Sequence, residues 1–259
     1  MTTAPSITTL LFDIDDTLYP ITNGFTAHRN NDVALNYMVD RLGFADHESA
    51  AAFRLPYFTK YHSTMKALAV AAGEGKLPPL SDGSQRPFSS DELATYWAAN
   101  ARFSDYIARD DRLAEVLASL KEVDGLRIMI FSNGPRAYAL RVLETLGVRD
   151  CFADSDIFAV DDLLPHCKPE AAAFEKVLTA AGVQEDPSQA VLFEDSMKNV
   201  RAAKALGMRT VLLLPSAEVY GSSAADAPDP SDPAVDAVLE ECRDMKERLP
   251  CLWEKKWAP

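Results

Sequence analysis

The chain has 259 residues, 47% hydrophobic and 25% charged, with a formal net charge of −13. That length can bury a sizeable core as one large domain or two small ones. The acidic balance excludes a general nucleic-acid binder, which needs a basic face, and no run approaches the roughly 20 apolar residues of a membrane span.

Met1 to Thr9 carries neither a basic n-region nor an apolar h-region, so a cytoplasmic rather than secreted protein is expected. Ile7 to Ile14 reads as a buried strand that runs into Asp13-Ile14-Asp15-Asp16-Thr17. Strand side chains alternate faces, which puts Asp13 and Asp15 on one side and leaves Asp16 facing away with Ile14. At the carboxyl end of a parallel strand, where open α/β sheets bind ligands, two adjacent carboxylates require a cation or a retained proton.

From Gly24 to about Arg109 the texture is helical, with no convincing strand. Val33, Tyr37, Met38 and Leu42 share one helical face, as do Met65, Leu68 and Ala69. Gly73 to Ser90 reads as a loop, and its Gly73-Glu74-Gly75-Lys76 fits no phosphate-loop spacing. Beyond Arg112, helix and strand alternate. Leu113, Val116, Leu117 and Leu120 mark a helix, Leu126 to Phe131 a strand, and Ala137 to Leu146 a helix closed by Gly147. Ile157 to Val160 is a short strand, and Pro169 suits the first position of a helix reaching Ala181. Ala190 to Phe193 and Thr210 to Leu214 are strands around a helix from Met197 to Leu206. This alternation implies an α/β fold, a Rossmann-like parallel sheet interrupted after its first strand by a helical insert. Ser216 to Pro233 reads as a loop or linker. Val238, Cys242, Met245 and Leu249 recur at helical spacing in a tail expected to dock on the core. Cys151, Cys167, Cys242 and Cys251 lack CxxC spacing and are expected as reduced thiols.

Four segments carry chemistry: Asp13-Ile14-Asp15-Asp16-Thr17, Ser132-Asn133-Gly134, Lys168-Pro169 and Glu194-Asp195-Ser196. Together they supply the parts of a phosphoryl-transfer site. One carboxylate can attack phosphorus and another can move the proton. A hydroxyl, backbone N–H groups and a lysine can hold phosphate oxygens, and the remaining carboxylates can bind Mg²⁺.

The order Asp-x-Asp-x-Thr, Ser, Lys, acidic pair resembles the haloacid dehalogenase-like phosphohydrolase superfamily, with the helical insert similar to its C1-type cap. The resemblance implies a discontinuous core of residues 1–20 and 108–259 and a cap of residues 21–107. It implies Asp13 as nucleophile, Asp15 as general acid/base touching Mg²⁺ through its backbone carbonyl, and Asp195 with Glu194 completing the metal site. Ser132, Asn133 and Lys168 would bind phosphate. Phe12-Asp13-Ile14-Asp15-Asp16-Thr17-Leu18-Tyr19-Pro20, Tyr61 to Leu68, Phe193 to Asn199 and Leu249 to Glu254 resemble a pyrimidine 5′-nucleotidase-like subfamily. That implies a nucleoside 5′-monophosphate, pyrimidine favoured, or a similar small phosphate monoester as substrate. Tyr61, His62 and Thr64 are the first candidates for contact with it. The expected enzyme has no nucleic-acid or membrane partner and is a monomer or homodimer. A phosphatase of a non-nucleotide phosphate, a sugar phosphomutase, a phospho-switch and a degenerate binding module are the competing readings.

Overall fold

The structure, a computed structural model, describes residues 6–214 and 228–259. Six parallel strands form one sheet: β1 (Thr9–Phe12), β2 (Arg127–Phe131), β3 (Ile157–Phe158), β4 (Ala190–Glu194), β5 (Arg209–Leu213) and β6 (Ala237–Leu239). Their order is β3-β2-β1-β4-β5-β6. β1 lies at the centre, with Leu11 opposite both Met129 of β2 and Leu192 of β4. Every residue of β1 and β4 is buried, which is why these strands read as unbroken apolar runs.

Alternation along the strands divides two packed layers. Leu10, Phe12, Ile130 and Phe193 belong to one, covered by the helices Asp111–Lys121 and Arg136–Leu146. Leu11, Met129, Phe131 and Leu192 belong to the other, covered by Ala171–Ala181 and, through Ala203, by Met197–Ala205. Phe12 stacks on Phe193 with ring centroids 4.6 Å apart, and truncating so buried a ring costs about 3–5 kcal/mol. Gly147 closes Arg136–Leu146 at φ 78°, a left-handed conformation that glycine adopts without a Cβ clash. From β1 the chain winds outward to β2 and β3, then returns to add β4, β5 and β6 on the other side. The sheet order therefore reverses beside β1, where open α/β sheets form their ligand crevice.

Between β1 and β2 the chain contributes helices and no strand. Ahead of Asp111–Lys121 the longer ones are Ala34–Leu42, His47–Tyr61, Thr64–Gly73 and Ser90–Asn100. Asp46 and Ser49 form a capping box at the start of His47–Tyr61, and the Ser63 and Ser89 side chains accept from Lys66 N and Glu92 N at the starts of the next two. A π-helical turn, Arg29–Val33, leads into Ala34–Leu42.

Two local expectations need correction. The helix after Lys168 starts at Ala171, because Pro169 and Glu170 stay non-helical and the Glu170 carboxylate is bonded to Lys66 rather than to the helix end. Val238 lies in β6, paired in parallel with β5, and the helical stretch after it is short, a 3-10 turn Cys242–Asp244 running into the single turn Met245–Arg248. A three-residue edge strand is too short to show a period of two. The expected 216–233 linker lies outside the described residues up to 227. The tail does dock: Leu249 and Leu252 are buried, Ile7 N donates to Lys255 O at 2.9 Å, and Trp253 Nε1 donates to Ser119 Oγ at 3.1 Å. All four cysteines are free thiols.

Candidate active site

β1 ends at Phe12, and the acidic run continues as a turn. Asp13 N still donates to Phe193 O (3.0 Å), while Thr17 N and Leu18 N both donate back to Ile14 O. The turn takes Asp16 into the left-handed region, φ 57°. Strand alternation therefore stops before it reaches Asp16, and the expectation that this side chain faces away is wrong. Its carboxylate accepts from Thr26 Oγ1 at 2.8 Å and lines the same cleft as Asp13 and Asp15. Burial and the neighbouring Asp15 push Asp16 up to about 7, against the opposing Thr26 bond and Arg29 charge.

Lys168 comes from the loop before Ala171–Ala181 and is fully buried. Its Nζ lies 2.9 Å from Asp13 Oδ1 and 2.7 Å from Glu194 Oε2. Burial alone would lower Lys168, but Asp13 and Glu194 outweigh it and hold the ammonium protonated. Asp13 is raised above the usual carboxylate range, first by burial and then by Glu194, with Lys168 opposing. Asp195 is raised likewise, by burial and then by Glu194, Asp16 and Asp13.

Ser132 follows β2 and is fully buried, its Oγ accepting from Gly134 N at 3.0 Å. Asn133 lines the cleft, but its side chain is committed to the Lys168 backbone. Oδ1 accepts from Lys168 N, and Nδ2 donates to Lys168 O, each at 2.9 Å. Asn133 thus holds the lysine loop against the β2 loop.

Both oxygens of Asp15 are occupied. Oδ1 accepts from Tyr19 and Tyr138 hydroxyls at 2.5 Å each, and Oδ2 accepts from Arg29 Nη1. Arg29 is itself buried, with Trp97 and Tyr138 rings 5.8 and 5.3 Å from its guanidinium. Sequence reading missed Arg29, Tyr138 and Trp97. No local signal marks them, because the contacts join segments far apart in the chain.

Of the three residues expected on the insert, His62 and Thr64 line the cleft and Tyr61 does not. His62 ends His47–Tyr61 at φ 49°, reversing the chain, and its Nε2 lies 2.8 Å from Lys198 Nζ. Thr64 Oγ1 accepts from Arg54 Nε and Nη2 at 3.0 and 2.9 Å. Tyr61 instead places its carbonyl within 3.3 Å of Cys167 Sγ, which donates to it. The same turn sends Ser63 Oγ to Asn133 O (3.3 Å) and pairs Lys66 with Glu170. It therefore seals the insert onto the strand-end loops.

Oxygens of Asp13, Glu194 and Asp195 all lie within 4.8 Å of one another. Five carboxyl side chains line the cleft against Arg29, Lys168 and His62. Hard oxygen donors with surplus negative charge fit Mg²⁺; burial first and then the neighbouring Glu194 raise Asp13 and Asp195, and such an ion would offset both. Asp13, Glu194 and Asp195 would hold it. The Asp15 carboxylate already accepts three hydrogen bonds, two on Oδ1 and one on Oδ2, and the family resemblance assigns its main-chain carbonyl to the ion.

A parallel sheet of this order, with carboxylates and a buried lysine at its reversal point, defines a Rossmann-like α/β protein with an acidic crevice at its strand ends. The chain belongs to the haloacid dehalogenase-like hydrolase family, whose match covers residues 7–207. It is 26% identical to phosphate metabolism protein 8 of Saccharomyces cerevisiae over 219 residues, covering 81% of this chain and 62% of that protein's length. It is 29% identical to ribulose-1,5-bisphosphate 5-phosphatase of Halopiger xanaduensis, covering 85% of this chain and 90% of that one. CbbY from Rhodobacter sphaeroides, solved in complex with phosphate, shares the fold. Its TM-score is 0.57 at 21% identity, covering 92% of this chain and 96% of that chain.

Proposed function

We propose that this protein is a Mg²⁺-dependent phosphomonoesterase that works through an aspartyl-phosphate on Asp13. The observation that carries the reading is the placement of Lys168 Nζ between Asp13 and Glu194, with Asp195 beside them at the reversal point of the sheet. Bound Mg²⁺ would supply positive charge that reduces repulsion between the carboxylates and an anionic substrate. Asp13 attacks phosphorus, forming an O–P bond as the ester P–O bond breaks. Asp15, oriented by Arg29, Tyr19 and Tyr138, gives the leaving oxygen its proton. It then takes a proton from the water that attacks the aspartyl-phosphate, releasing inorganic phosphate and the Asp13 carboxylate. Lys168 holds a phosphoryl oxygen and offsets developing charge. Ser132 supports the loop that approaches the phosphoryl group, and the helical insert acts as the cap over it.

For the substrate, a pyrimidine nucleoside 5′-monophosphate is the reading implied by the subfamily resemblance. A small non-nucleotide phosphate is the second reading. It is supported by the cleft volume of about 190 Å³, below the ~300–1,000 Å³ usual for small-molecule sites, and by the ribulose bisphosphate named for one relative. The Asp13→Asn variant tests the chemistry. Its p-nitrophenyl phosphate turnover in Mg²⁺ is expected to fall about 10³-fold or more, and wild-type turnover in that variant sinks the mechanism. Release of free phosphate separates hydrolysis from a mutase, and initial rates over nucleoside monophosphates and sugar phosphates rank the substrates.

A further inference from the structure

The cap wall of the cleft contains more hydrogen-bond donors than its own acceptors satisfy. Arg54 is largely buried, and among the described residues it forms no ion pair. Its guanidinium lies 4.1 Å from the Phe58 ring centroid and donates to Thr64 Oγ1 and Asn30 Oδ1. Burial and the repulsion of Arg29 lower it to about 10, so the charge is uncompensated where it stands. In a protein of net charge −13, a desolvated arginine without a carboxylate is an arrangement that costs stability unless an anion completes it.

The bonds that Arg54 makes also orient its neighbours. Asn30 accepts through Oδ1, which leaves its Nδ2 hydrogens for another partner. Thr64 accepts twice at Oγ1, so its hydroxyl hydrogen is available to donate. Both residues line the cleft. Two more cleft residues, Trp97 and Arg29, are 4% and 9% exposed and carry donors, Nε1 and Nε, that have no partner among the described residues. Thr64 also begins a ten-residue helix, whose N-terminus favours negative charge. The five carboxyls and Lys168 that the phosphoryl chemistry uses line the same cleft.

We propose that the cap wall formed by Asn30, Thr64 and Trp97, polarised by Arg54, is a second anion subsite, and that the substrate is a compact phosphomonoester carrying a second anionic group, carboxylate or phosphate. This rests on the phosphomonoesterase reading and narrows it against a nucleoside monophosphate, whose base is neutral. Arg54 is a positioning residue: it sets the donors of Asn30 and Thr64 and supplies the charge behind them.

Two matched pairs test this. 2-Phosphoglycolate and 2-hydroxyethyl phosphate differ in a carboxylate, and 1,3-propanediol bisphosphate and 3-hydroxypropyl phosphate differ in a second phosphate. In the wild type at least one anionic member is expected to exceed its neutral partner about tenfold or more in kcat/KM, mainly through KM. Which pair shows the difference identifies the second anion. Arg54→Gln and Thr64→Val should each collapse that ratio, and Arg54→Lys should recover part of it. Equal kcat/KM within both pairs in the wild type, or ratios untouched in Arg54→Gln, overturns the proposal. If neither the pairs nor p-nitrophenyl phosphate are hydrolysed, the phosphatase reading has failed. Calorimetric binding of the same four compounds to wild type and Arg54→Gln then decides the subsite on its own, with no loss of anion preference in the variant counting against it.

Discussion

Lys168 Nζ stands 2.9 Å from Asp13 Oδ1 and 2.7 Å from Glu194 Oε2, so a single buried ammonium serves two carboxylates from different strand ends. Lys168→Met should leave both acids buried without their partner. Without added metal, stability is expected to fall by about 3–5 kcal/mol, read as a lower melting temperature. In Mg²⁺, kcat on p-nitrophenyl phosphate should fall about 10²–10³-fold. A variant that melts and turns over like wild type would remove Lys168 from the site.

Asp195→Asn should move stability and metal affinity in opposite directions. Burial, Glu194, Asp16 and Asp13 all disfavour the Asp195 charge, so neutralising it relieves repulsion in the metal-free protein. A gain of roughly 1 kcal/mol corresponds to about 2–4 °C in a domain of this size. The Mg²⁺ concentration for half-maximal activity should rise at least about tenfold. Melting in chelator and a Mg²⁺ titration of activity check the two halves separately.

Tyr138→Phe removes the hydroxyl that donates to Asp15 Oδ1 at 2.5 Å and leaves the ring packing on Phe25, 6.0 Å away and nearly parallel. A hydrogen bond to a charged group contributes about 1.5–3 kcal/mol. The variant should therefore lose roughly tenfold to a hundredfold in kcat while KM changes little. A KM effect without a kcat effect would place Tyr138 in substrate binding instead.

The Lys66–Glu170 pair joins cap helix Thr64–Gly73 to the lysine loop. Burial alone would raise the Glu170 carboxyl, but bonds from Lys66 and His166 outweigh it and hold it below its ordinary 4.5. A carboxyl depressed in the folded state stabilises above its unfolded value, and the contribution is lost as pH falls through the lower folded value. Glu170 is partly exposed, so the pair contributes at most about 1 kcal/mol. Glu170→Gln should speed hydrogen exchange in Thr64–Gly73 by up to about fivefold at pH 7. The difference from wild type should fade below pH 4.5. A pH-independent difference would mean that the pair does not hold the cap.

The core strands were legible because each is an apolar run bounded by turn residues, and Asp13 and Glu194 because they stand at the ends of such runs; Lys168 was read from its place beside Pro169, although the helix begins only at Ala171. Asp16 was misread because a period of two was carried past Phe12, where the backbone leaves the strand. β6 was hidden by its length. Arg29, Arg54 and Trp97 could not be read at all. They sit in helices whose spacing reports only what faces the insert's own core, whereas their partners are supplied by packing.

His62 turns the chain at φ 49° between two cap helices. His62 itself touches Lys198, and the few residues after it touch the β2 loop and the lysine loop and also present Thr64 to the cleft. The stretch that fastens the insert to the strand-end loops is therefore also the stretch that lines the cleft. Under the proposed function, a substitution there would change attachment of the insert and the shape offered to the substrate together.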